Sequence, residues 1–424
     1  MSRFLVDLIS IPLFTGAIGY VINWTGVLML FQPVHFRGRR VPGLAPLAGI
    51  LPRRLQNIPG IMHGGIGWQG IVPSRAAKMG SIAVDKGIAK LGSASEFYAR
   101  LDPEKIAEHI LATAKHDIRE LVERVMEREH GQLWNDLPPR LREAVHARVQ
   151  RELPGIVREL TDEIGRNIDA LLDVKLMVIR RMEEHPELAN RVFQDVGKRE
   201  LRLMVNCGFL FGFVLGIPVV FITHAIPYWW VLPICGVIVG WITNVLAIKL
   251  IFEPVEPRRI GPFLIHGLFL RRQQQVADVY SAIIADDIVN LQNIGAELML
   301  PPRGDRTRTM LENLIHPVID RSLGPAAGAV RVAVGTAQYD AIRDSLAVES
   351  VEYAVTPLTD PAFNREQSRA VRDLLAERMR TMSHQDFVEL LRAAIHEDEW
   401  MLYAHGAVLG FGAGLVHLAI FGTP

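Results

Sequence analysis

The sequence is poor in cysteine and without net charge, and each shortage excludes something. Two cysteines in 424 residues, Cys207 and Cys235, cannot build a disulfide framework, and with no histidines at ligand spacing beside them they do not form a zinc site. The 46 basic and 46 acidic side chains cancel, so charge balance gives no reason to expect a nucleic-acid partner. No HExxH, no P-loop and no GxSxG occurs, and the 14 histidines are scattered. No catalytic residue, metal or cofactor is expected, and the chain reads as a non-enzyme. The literal GxGxxG at Gly65-Ile-Gly-Trp-Gln-Gly70 lacks the strand and helix alternation of a dinucleotide fold. It leaves only the weaker idea that its glycine amides and a helix start near Ser74, flanked by Arg75 and Lys78, hold a phosphate or lipid headgroup, against an interfacial turn anchored by Trp68.

What the chain has in excess is apolar sequence: 49% of residues are hydrophobic, more than a soluble core needs. The surplus falls in four blocks, Phe4 to Phe31, Leu203 to Ile226, Tyr228 to Phe252 and Trp400 to Phe421. Each is long enough to cross a hydrocarbon layer of ~30 Å as a helix. The first block is too long for a signal-peptide core and has no small-residue cleavage site before the basic loop, so it is expected to remain as a span.

Two of the blocks share a frame. Gly19-Tyr-Val-Ile-Asn23 leads to Phe31 and Pro33, and Gly240-Trp-Ile-Thr-Asn244 leads to Phe252 and Pro254. The other two share a GxxxGxxxG, with Gly208, Gly212 and Gly216 matching Gly406, Gly410 and Gly414. Small residues let helices approach closely in lipid, and an asparagine can bond across such a contact. Asn23 and Asn244 are therefore expected first as packing glue and second as polar elements of a substrate path. The fold class implied is an all-α membrane protein with four transmembrane helices in two parallel repeats, each carrying a helical cytoplasmic domain between its two spans.

Charge places these parts. Arg37, Arg39, Arg40, Arg53 and Arg54 follow the first span, Lys198, Arg199 and Arg202 precede the second, and Arg258, Arg259, Arg271 and Arg272 follow the third. The link between spans two and three has no Lys or Arg. The positive-inside rule then puts both polar segments in the cytoplasm and both termini outside, with Cys207 and Cys235 at different depths as free thiols. Arg53 and Arg54, like Arg271 and Arg272, end similar loops, and all four are expected at anionic headgroups.

The domain boundaries expected are 1–33 (span), 34–75 (basic Gly/Pro-rich loop), 76–201 (helical domain), 202–254 (span hairpin), 255–399 (second loop and helical domain) and 400–424 (span). In 76–201 two apolar stripes recur at helical spacing, Ile106, Ile110, Ala114, Ile118, Leu121 and Val125, then Ile156, Leu160, Ile164, Ile168 and Leu171. They suit a self-contained bundle or, less simply, helices that cradle acyl chains. Asp102-Pro103 starts a helix, and Pro138-Pro139 and Pro154 mark breaks. Later helices are expected over 276–298, 307–323, 365–382 and 384–396, while 330–357 has no clear period. Glu397-Asp-Glu399 sits where it could neutralise Lys198, Arg199 and Arg202.

Gly240-x-x-Thr-Asn-x-x-Ala-Ile-Lys-x-x-Phe-x-Pro254, the basic loop after it, Gly67-Trp-Gln-Gly-Ile-Val-Pro-Ser-Arg75 and the closing glycine-rich span together resemble the YheB/YjiN-like family of uncharacterised bacterial membrane proteins. The first copy departs from that frame at Ile22, Gly26 and Leu28. The resemblance implies a plasma-membrane protein with helical cytoplasmic parts and supplies no reaction. The function expected is a non-enzymatic scaffold or envelope-organising protein of the bacterial inner membrane, with a transporter or lipid-handling protein working between the repeats as the alternative. The lipid bilayer and its anionic lipids, cytoplasmic proteins and a second copy of the chain are the partners this leaves open.

Overall fold

The computed structural model describes residues 3–44, 50–85, 93–260, 263–323, 331–332 and 335–422. Nearly all the described structure is helix. The exceptions are two small antiparallel strand pairs, Arg37–Arg40 with Gly65–Trp68 and Arg258–Ile260 with Phe263–Ile265. Four helices are long and apolar enough to cross a membrane: Arg3–Phe31, Glu187–Ala225, Val231–Phe252 and Glu399–Phe421. They are called the first to fourth spans below. The helix of the second span begins well before Leu203, because Leu188, Ala189, Val192 and Val196 already bury one face and carry it through the polar run at Lys198. Tyr228, Trp229 and Trp230 stand exposed in the turn between the second and third spans, as aromatic side chains do at a membrane-water interface.

Contacts divide the chain into two compact units. The first unit comprises residues 1–90, 178–283 and 376–424, and contains all four spans. The second comprises 91–177 and 284–375, so it draws on both polar segments. This division differs from the sequence boundaries 76–201 and 255–399, because apolar stripes from the two segments bury one another. Leu160 and Ile164 from the earlier segment pack on Leu311, Ile315 and Val351 from the later one.

The second unit is built on two long helices, Pro103–Asp136 and Pro139–Leu171. Asp102 caps the first by accepting from the Lys105 amide, and Pro138-Pro139 separates the two. Pro154 does not break the second. It lies inside the helix, where the one missing N–H is outweighed by Leu153 and Val157 packing against Ala107 and Ala114. The stretch 276–298, expected as one helix, is interrupted by a π turn at Ile284–Ile288 and restarts at Leu291 under an Asn290 cap. The segment without period, 330–357, holds the helix Thr336–Ala354 in its described part. Its buried Tyr339, Ile342, Ala347 and Val351 are spaced unevenly, so no stripe announced it.

Candidate functional site

The first and second spans pack antiparallel through glycine. Gly216 meets Pro12, Gly212 meets Thr15, Gly208 meets Gly19, and the Asn23 amide donates to the Met204 carbonyl at 2.7 Å. The third and fourth spans make the same four contacts in the same order. Gly414 meets Pro233, Gly410 meets Gly236, Gly406 meets Gly240, and the Asn244 amide donates to the Leu402 carbonyl at 2.5 Å. A Cβ on Gly216 would stand 2.8 Å from the Pro12 Cα, and one on Gly414 only 2.6 Å from the Pro233 Cα. Backbone therefore touches backbone, with Cα–H groups against carbonyls. Thr243, Asn23 and Asn244 are buried, and the space among Ile18, Ile22, Thr243 and His417 amounts to about 30 Å³, room for about one water. Cys207 and Cys235 are both free thiols.

The matching contacts continue beyond the spans. The Pro33 carbonyl accepts from the Gly70 amide at 2.9 Å, and the Pro254 carbonyl from the Gly267 amide at 3.0 Å. Gly70-Ile-Val-Pro-Ser-Arg75 thus stands where Gly267-Leu-Phe-Leu-Arg-Arg272 stands. The likeness expected between the loops that end at Arg53-Arg54 and at Arg271-Arg272 begins at Gly49, outside the described residues. Among the described residues the glycine amide after each strand pair aligns Gly70–Arg75 with Gly267–Arg272.

Arg75 then pairs with Asp398 at 3.1 Å, both nearly fully buried, and Arg272 pairs with the buried Glu200 at 2.7 Å. Each carboxylate lies at the head of a glycine span, eight residues before Gly208 or Gly406. The loop that follows one asparagine span is therefore held by the glycine span of the other pair. The acidic group Glu397-Asp-Glu399 does not meet Lys198, Arg199 and Arg202. Glu397 pairs with Lys78, Asp398 with Arg75 and Glu399 with Arg392, since Lys198, Arg199 and Arg202 point outward.

The remaining expected site residues fall as follows. The side chains of Arg53 and Arg54 lie outside the described residues. Arg271 is exposed, while the Arg272 guanidinium is taken up by Glu200 and Gln275. Exposed arginines stand instead on the strand pairs, at Arg37, Arg39, Arg40, Arg258 and Arg259. The helix start near Ser74 is not available to phosphate. Ser74 closes a single turn, Ile71–Ser74, and Arg75 is buried against Asp398. The glycines of the GxGxxG let strands cross closely, Gly67 against Gly38 and Gly65 against Arg39.

The second unit holds a partly open cavity of about 580 Å³. Both sequence stripes face it, through Ile106, Ile110, Ala114, Ile118 and Leu121 and through Ile156, Leu160 and Ile164. Its few polar groups are mostly occupied. The Tyr98 hydroxyl donates to the Thr161 carbonyl at 3.0 Å, and Tyr339 donates to Asp320 at 2.6 Å. Burial, with Asp320 beside it, pushes the Tyr339 phenol up to about 12. Burial likewise pushes up Tyr98, with Asp162 adding to it, and Tyr353, which donates to Asp117. These phenols therefore stay neutral donors at physiological pH.

One residue of the spans, Asp7, escaped the sequence reading. Asp7 is a buried carboxylate in the first span, 3.5 Å from the His224 ring of the second. His417 in the fourth span packs between Phe14 and Phe421 with neither ring nitrogen bonded. The signal was present, one aspartate in an apolar run, but averaging hydropathy over the block concealed it. Among the described residues no group of three or more His, Cys, Asp or Glu could hold a metal ion.

No family model and no solved structure matches the chain. Two curated UPF0754 membrane proteins, from two strains of Staphylococcus epidermidis, are 32% identical to it over 91 residues, 21% of this chain and 23% of each relative. The chain thus spans less than a quarter of the length of the curated relatives it matches. Over that stretch it is similar to membrane proteins, and its own four long apolar helices suit the same environment.

Proposed function

We propose that this is a plasma-membrane protein of scaffold or envelope-organising type, without enzymatic activity, whose four spans form a closed anchor. The observation that carries this reading is the backbone contact of glycine on glycine in both span pairs, with about 30 Å³ left between those faces. The wider space of about 1,000 Å³ at Phe211, Leu246, Lys249 and Glu253 is open at the ends of the second and third spans and does not pass between the pairs' glycine faces. A transporter between the repeats needs a substrate-sized space there, and pockets for small molecules run from about 300 Å³ upward. In this reading the two span pairs are parallel repeats, Asn23 and Asn244 hold helices together, and the two polar segments lie in the cytoplasm with both termini outside. The exposed arginines of the strand pairs then face anionic headgroups. The similarity to UPF0754 membrane proteins supports the membrane location of this reading.

Covalent locking tests it. A Cβ on Gly26 would stand 3.6 Å from the Leu402 side chain, so Gly26→Cys with Leu402→Cys, in a background with Cys207→Ala and Cys235→Ala, places two thiols across the span pairs. A reducible bifunctional thiol reagent then joins them. A static anchor keeps complementing a deletion strain while locked. Loss of complementation on locking, restored by reductant, would show that the pairs must move and would favour a transporter.

A further inference from the structure

We propose that the cavity of the second unit is a binding site for the acyl chain of an anionic amphiphile, with Arg148 receiving its head. This goes beyond the anchor role of the spans and takes from that reading only the membrane location.

The volume, about 580 Å³, lies within the range of small-molecule sites, about 300–1,000 Å³. It is several times the ~150 Å³ of an engineered apolar cavity that stays dry and takes up benzene. Packing defects in native cores are few and scarcely larger than a water, so a space of this size among aliphatic side chains calls for an occupant. The lining decides its chemistry. Ile110, Ile118, Leu160, Ile164, Leu298 and Ile319 are typical of it, and they offer no hydrogen bond to a polar ligand body. An alkyl chain fits, and a sugar or nucleotide would leave its polar groups unpaired.

The head is decided by the charged groups. Two guanidiniums line the cavity, Arg148 and Arg343. Arg343 lies 3.7 Å from Asp340 and 3.4 Å from Asp344. Arg148, half-buried on the helix Pro139–Leu171, has no carboxylate or hydrogen-bond acceptor among the described residues. A cation left unpaired at the edge of an apolar space is complementary to a carboxylate or phosphate attached to the chain within it. Free fatty acids and anionic phospholipids both carry that chemistry, and the four spans keep the protein in a medium where both are abundant.

Photolabelling of the full chain in lipid nanodiscs tests the proposal and distinguishes the sources. Three diazirine probes are compared: a fatty acid, a phosphatidylglycerol carrying the same chain, and the corresponding neutral alcohol. Adducts are mapped by mass spectrometry. Adducts of the acid or of the phosphatidylglycerol on 106–164 and 291–358 support the site, and the probe that labels more strongly names the source. Ile156→Trp, which fills the cavity, should lower these adducts at least tenfold while adducts on the spans persist. Arg148→Ala should lower labelling by the anionic probes severalfold and leave the alcohol unchanged. Unaltered helicity by circular dichroism shows that each variant is folded. Adducts confined to the spans, or cavity adducts indifferent to Ile156→Trp, would overturn the proposal. Equal loss of anionic and neutral probes in Arg148→Ala would overturn the assignment of the head.

Discussion

The two units fill space in opposite ways. At the glycine faces of the spans, side chains are deleted until backbone meets backbone, and what remains between those faces is about 30 Å³. In the second unit, branched aliphatic side chains line a void of about 580 Å³. The difference follows from what each unit can use. In lipid no hydrophobic force draws helices together, so close packing and hydrogen bonds must do it. In water the hydrophobic effect holds apolar helices together even around a void, and a ligand can share in the burial.

The sharpest way to break this contrast is to remove one partner of the buried ion pairs that close the first unit. Arg75→Ala leaves Asp398 buried and unpaired, and Arg272→Ala does the same to Glu200. A loss of about 3–5 kcal/mol is expected for each, seen as a large drop in thermal stability of the purified protein. Replacing both partners of either pair by apolar residues should restore most of it.

Enlarging a glycine comes next. Gly240→Leu and Gly406→Leu collide with backbone, which cannot give way as a flexible side chain can, and should cost at least ~1–3 kcal/mol. Enlarging Ile156 of the second unit to Phe should cost little or stabilise, since the side chain grows into open space. Comparable melting shifts for the glycine and isoleucine variants would erase the contrast. Asn244→Leu and Asn23→Leu each delete one hydrogen bond between spans, and about 0.6–2 kcal/mol is expected.

The smallest effect concerns acidity in the second unit. Burial, with Arg119 adding to it and Glu123 and Glu143 opposing, holds the His146 imidazole below its ordinary value. Protonation therefore disfavours the folded form. The stability from this group is complete above the unfolded value of ~6.5 and declines as pH falls through it, levelling off below the folded value. His146→Gln should flatten this component of the melting temperature between pH ~7.5 and ~5.

The four spans were legible because each depends on residues close in sequence, through length and hydropathy. The ion pairs were not. Nothing local tells Arg75 from Arg54, and the choice is made by a glycine amide that reaches the Pro33 carbonyl from a distant part of the chain. The stripes at 106–125 and 156–171 were readable, but an apolar stripe looks the same whether it closes on a partner or lines a void. Pro154 misled for a related reason, since a proline is local and the packing that overrides it is not. Asp7 was visible in the sequence and lost in the average.

The central claim is that the spans close on one another at their glycine faces, where only about 30 Å³ remains, while the second unit keeps a cavity of about 580 Å³ among its helices. Alkylation by N-ethylmaleimide tests it most directly, comparing Ile164→Cys at the cavity with Thr243→Cys among the spans in a chain with Cys207→Ala and Cys235→Ala. The cavity thiol should react readily and the span thiol should stay protected until the protein is denatured. Ready reaction at Thr243→Cys with protection at Ile164→Cys would contradict the account.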